Sequence, residues 1–125
     1  MRRAEPRARG GGVRAAMALS IQDAEILRTR VRALVTAELI ARARAAPAPP
    51  YDPDIAEVLD FVRRNPDPEL PRYAIVRLPD GFAIAARAAV RGRPPRIVDA
   101  RRHPDRGAAE HAVLERRLRD LGLDW

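Results

Sequence analysis

The chain contains no lysine, no cysteine, one serine and one asparagine, yet arginine appears 24 times in its 125 residues. Each scarcity excludes something. Without cysteine there are no disulfides, zinc–thiolate sites, iron–sulfur clusters or thiol nucleophiles. Ser20, Thr29 and Thr36 are the only aliphatic hydroxyls, and all three fall at a helix start or within a helix pattern. None sits in the strand-to-helix turn that a nucleophile elbow requires. No apolar run approaches the roughly 18 residues of a membrane span. No secretory apolar segment follows the basic N-terminus. The expectation is a soluble cytoplasmic protein with no membrane association.

What is abundant needs discounting before it is read as function. Arginine, alanine and proline are all heavily used, which fits a composition bias as well as a selected charge. The formal charge is +7 and the isoelectric point about 11.3. The charge is uneven: residues 72–106 hold nine arginines against three acids, and residues 51–71 hold six acids against two arginines. Arginine is never neutralised at working pH, so these fields are permanent.

Residues 1–16 are nearly devoid of apolar side chains and contain Gly10-Gly11-Gly12. They are expected to be a disordered basic extension, with Met17 opening the ordered chain. The glycines are not a phosphate loop, since no Gly-Lys-Ser/Thr follows them.

Residues 17–46 are expected to form one long amphipathic helix. Ser20 is a good N-cap, and Ile21, Ala24, Leu27, Val31, Leu34 and Val35 keep a three-and-four spacing. From Ser20 to Ala46 no glycine or proline interrupts. Such a rod would reach roughly 40 Å, more than a small domain needs. Leu27, Val31, Leu34 and Val35 therefore form a candidate interaction seam for a protein partner or a second copy in a homodimer. Pro47, Pro49 and Pro50 make 47–52 a Pro-rich linker.

The remainder, 53–125, reads as an α-β-β-β-α domain, so the fold class is α+β with a three-stranded antiparallel sheet. Asp52–Pro53 opens a second helix whose stripe is Ile55, Val58, Leu59 and Val62. Strands Tyr73–Leu78 and Phe82–Val90 flank Pro79-Asp80-Gly81, read as a three-residue hairpin loop. That spacing pairs Leu78 with Phe82, Val76 with Ile84 and Ala74 with Ala86. A third strand is expected over 96–101, and Asp105 caps a last helix to Leu121, closed by Gly122 and Leu123. In element order this segment resembles the double-stranded RNA-binding fold. It lacks that family's basic start to the last helix, having Asp105-Arg106-Gly107-Ala108 there.

Three groups of residues could carry function. His111 on an apolar stripe with Glu115 one turn away could be a general base, but a lone histidine is more simply a residue at the core's edge. His103 and Asp105 add no metal-ligand spacing. The acids Asp52, Asp54, Glu57 and Asp60 suit helix capping and the helix dipole. Neither a catalytic residue nor a metal or other cofactor is expected. The best surface is the face expected to carry Tyr73, Arg77 and Arg87, with Arg91, Arg93 and Arg96 extending it. Arginine forks suit phosphates and tyrosine can stack on a base, making this a candidate nucleic-acid-binding face. The leading reading is a small non-catalytic interaction protein acting through helix 17–46, with nucleic-acid binding as the alternative.

Overall fold

The structure, a computed structural model, describes residues 19–125. The expected basic extension 1–16 and the start at Met17 lie outside the described residues. The first helix, α1, spans residues 21–34. Ser20 begins it as expected, its Oγ accepting the Asp23 N–H at 3.0 Å. The helix is regular over Ile21–Ile26, widens into a π-helical turn over Leu27–Val31, and recovers over Arg32–Leu34. In the widened turn the Arg32 N–H reaches back to the Leu27 carbonyl, five residues earlier.

The helix then stops, where one continuous helix was expected. Val35 turns extended at φ −81°, ψ 92°. Thr36 caps a new helix, α2, over Ala37–Ala45, its Oγ1 accepting the Leu39 N–H at 3.1 Å. The reason is local competition. A threonine hydroxyl satisfies an orphan N–H at a helix start and gains less inside a helix. Glu38 in the first turn favours the same choice through the helix dipole. The break lets both halves turn apolar side chains inward, with Ile21 at the start of α1 left exposed. Leu27, Val31, Val35, Leu39, Ile40 and Ala43 are buried, and Leu34 packs against the same core. The seam expected to wait for a partner is therefore spent on the chain's own interior.

Helix α3 spans Pro53–Arg63, with the Asp52 carboxylate accepting the Ile55 N–H at 2.9 Å. Its expected stripe is buried, and Phe61 joins it. Asp52 also receives the Arg42 guanidinium, which ties the helix start back to α2. Bidentate Arg30–Glu57 and single Arg64–Asp23 pairs join α3 to α1. Such exposed pairs are individually worth at most about 1 kcal/mol. The packing beneath them dominates.

Strands β1 (Tyr73–Leu78), β2 (Gly81–Ala86) and β3 (Arg96–Ile97) form an antiparallel sheet in that order. The register differs from the expected one by a residue. Leu78 pairs with Gly81, Arg77 with Phe82 and Ile75 with Ile84, so the turn is Pro79-Asp80 alone. A one-residue slip exchanges the faces of a strand. Tyr73, Ile75 and Arg77 thus share a face with Phe82, Ile84 and Ala86. Gly81 explains the tight turn. Its φ is +134°, and the His103 carbonyl oxygen lies 2.8 Å from where a Cβ would stand. The third strand is shorter than expected: Ile97 pairs with Ala85, the chain leaves the sheet, and His103 returns to pair with Phe82.

Helix α4 spans Arg106–Asp120, capped by Asp105 through the Ala108 N–H at 2.8 Å. Gly122, at φ +88°, and Leu123 close it with the two reversed hydrogen bonds of a Schellman motif, to Arg119 and Leu118. This helix packs on α2 and α3 and also on β1 and β2. The core runs continuously from Leu19 to Leu123 and joins the N-terminal helices to the segment beyond residue 53. The architecture is α+β, with four helices and a three-stranded antiparallel sheet among the described residues. None of these helices is long and apolar enough to cross a membrane.

Replacing Gly81 by alanine meets both the positive φ and the His103 carbonyl. The expected loss is about 1–3 kcal/mol of unfolding free energy in urea titration. A change within experimental error would mean that the hairpin relaxes around the methyl group.

Candidate functional site

A cleft of about 820 Å³ opens beside α4. The end of α2, strand β2 and the loop 99–105 form its other walls. Both histidines line it, and both are buried. His103 arrives through its backbone, whose N–H and C=O pair with Phe82 at 2.8 and 2.9 Å. Its ring Nε2 is buried without a hydrogen-bond partner. His111 arrives on α4, its Nε2 2.6 Å from Glu115 Oε2.

Glu115 is the hub of the cleft. Arg44 from α2 donates to the same Oε2 at 2.8 Å, and Arg119 stands 3.5 Å from Oε1. Burial pushes the Glu115 pKa up, but the Arg44 hydrogen bond, with the charges of His111 and Arg44, outweighs it and holds the carboxyl below its usual value. His111 moves down as well. Burial is the main cause, opposed by Glu115 and reinforced by Arg44. Since the ordinary histidine value of 6.5 is already below 7, this burial leaves the imidazole neutral near pH 7.

The other acids of the cleft are similarly engaged. Asp99 accepts the Arg101 N–H at 2.9 Å and faces Arg116 at 3.6 Å. Asp105 caps α4. Asp120 receives the Tyr73 hydroxyl at 2.5 Å, and burial raises its pKa. Burial, then the bond to Asp120, raises the Tyr73 phenol to about 12. No hydroxyl nucleophile reaches the cleft. Ser20 and Thr36 are capping residues, and the Thr29 hydroxyl donates to the Glu25 carbonyl. Among the described residues, no three histidines or carboxylates gather to hold a metal ion. The cleft offers polar contacts and two buried histidine rings, with each carboxylate already engaged.

The expected Arg/Tyr face is rearranged. Tyr73 is buried and points at α4, with Arg116 5.6 Å over its ring, so it cannot stack on a base. Arg77 lies over Phe82 at 5.8 Å. Arg87, Arg91, Arg93 and Arg96 are exposed and have no acidic partner among the described residues. They stand on the arm 87–97, with Val90 and Ile97 exposed beside them. Sequence reasoning missed Arg44, which meets Glu115 across 71 positions and carries no local signal.

The pKa directions have a consequence for stability. His111 is depressed below 6.5 in the folded state. The unfolded chain then binds the proton first, so this stability is complete above the unfolded value and is lost as pH falls through the folded one. Urea unfolding from pH 8 to pH 5 should show falling stability, and His111→Gln should flatten the slope below about pH 6.5. A wild-type profile flat over that range would contradict the buried neutral imidazole.

A family model described as N,N-dimethylformamidase alpha subunit matches residues 17–124. No curated protein and no solved structure matches the chain.

Proposed function

The chain belongs to the N,N-dimethylformamidase alpha subunit family, and from that premise we propose that it is a non-catalytic subunit of an amide-hydrolysing assembly. The observation that carries this reading is the match itself, which extends over 17–124 and so takes in almost all of the described fold. An alpha subunit implies a companion. In the 820 Å³ cleft beside α4 each carboxylate is engaged, by an arginine, a backbone N–H or the Tyr73 hydroxyl, which suits an accessory role. Apart from Ile21, the apolar side of α1 and α2 is internal, which favours a meeting surface elsewhere. The arm 87–97 is the best-suited surface. It presents Arg91, Arg93 and Arg96 without acidic partners, together with exposed Val90 and Ile97. Arginines beside apolar side chains are the composition favoured in protein interfaces. Their charge selects a partner patch rich in aspartate and glutamate.

The reading is tested by reconstitution with the companion subunit of an N,N-dimethylformamidase. The chain alone should leave N,N-dimethylformamide intact and should form a complex with the companion of defined mass. Reversing Arg91, Arg93 and Arg96 to glutamate should weaken that complex by roughly tenfold or more while the fold survives. Hydrolysis by the isolated chain would overturn the accessory role. An unchanged affinity would remove the arm from the interface.

A further inference from the structure

A second cleft, about 390 Å³, opens on the opposite flank of α4. It lies between the end of α3, the edge strand β1 and α4 itself. Its side chains divide sharply by chemistry. Ile75, Val113 and Leu114 give it an apolar wall. Arg63, Arg87, Arg106 and Arg117 line the rest. Arg72 is placed beside them, since its carbonyl accepts the Arg87 N–H at 2.8 Å.

Against these five guanidinium groups stands one carboxylate, Glu110, already engaged by Arg106 at 3.1 Å. Arg63 rests over the Tyr51 ring at 5.9 Å, not on an acid. The side chains of Arg72, Arg87 and Arg117 have no partner among the described residues. Arg117 is the sharpest case, because its Nε is buried with nothing to accept its proton. Burial, followed by the charges of Arg63, Arg72 and Arg87, depresses its pKa, although Tyr73 works the other way.

Buried donors are normally satisfied, and a buried charge without a counter-charge opposes folding. One ligand class would answer both deficits. An oxyanion accepts two parallel N–H bonds from an arginine fork and neutralises the cluster. The apolar wall suits an organic body attached to that group. We propose that this cleft is a binding site for a small organic oxyanion, a carboxylate or a phosphate ester, held by Arg117 and Arg63 with Arg87 at its mouth. Arg87, at the base of the arm 87–97, borders the site, but Arg91, Arg93 and Arg96 do not line it, and the proposal does not depend on the subunit reading.

Calorimetric titration of the whole chain with benzoate, phenyl phosphate and inorganic phosphate, at matched chloride ionic strength, tests it. Saturable one-to-one binding of benzoate or phenyl phosphate, tighter than that of inorganic phosphate, is expected, and the tighter of the two organic probes identifies the anion class. Arg117→Met should weaken this binding roughly 10- to 100-fold. Arg87→Gln changes only an exposed side chain, so it keeps the fold. It should weaken binding too, and should raise the melting temperature without anion by relieving repulsion. If Arg117→Met fails to fold, Arg87→Gln alone decides. Absence of saturable binding for all three probes overturns the site, as does affinity unchanged in the variants that fold.

Discussion

Helix α4 is wanted on two sides at once, and the rest of the structure depends on that. Leu114 and Leu118 are buried in the helical core. Ala109 is also fully buried, and the helix packs against β1 and β2. Truncating a fully buried leucine such as Leu118 removes about 2–5 kcal/mol, a large share of a small domain's stability. Both ends of α4 are fixed by their own chemistry, Asp105 at one and Gly122 with Leu123 at the other. The two clefts are the flanks that such a helix leaves open. Their positions follow from the packing.

Arginine as the sole basic side chain gives these flanks opposite characters. On one side Arg44, Arg116 and Arg119 meet Glu115 and Asp99, and the charges compensate. Burial, reinforced by Arg44, keeps His111 neutral there. On the other side Arg117 has arginines for neighbours and one acid already taken. A guanidinium cannot shed its charge as a buried lysine can, so the imbalance persists at every working pH. The contrast shows that high arginine content has no single meaning. Its effect depends on which acids the fold places within reach.

Elements governed by neighbours a few positions away were legible in the sequence. Ser20, Asp52 and Asp105 cap the helices they were expected to cap, and Gly122 ends the last one. The α+β class followed from those elements. What could not be read required distant partners. Thr36 is a threonine in a strongly helical stretch, where its capping competes with helix continuation, and the break it makes accompanies the burial of both Leu27 and Ile40. The hairpin register depends on His103 approaching Gly81 from 22 residues on. Tyr73 moved from the expected open face to the interior for the same reason. The clefts were illegible because Arg44 with Glu115, and Arg63 with Arg117, are brought together only by the folded chain.

A subunit role fits a molecule of this kind: a firm interior, a polar cleft without free carboxylates, and an exposed arm of arginines. All three presuppose α4 as the shared wall of helices and sheet. Native-state hydrogen exchange of the α4 amides measures that most directly. The account predicts that the amides of Leu114 and Leu118 exchange only through global unfolding, with the same free energy as Val31, Val58 and Ile84. Exchange of α4 through a low-energy local opening, with the helices of residues 21–63 still protected, would contradict it.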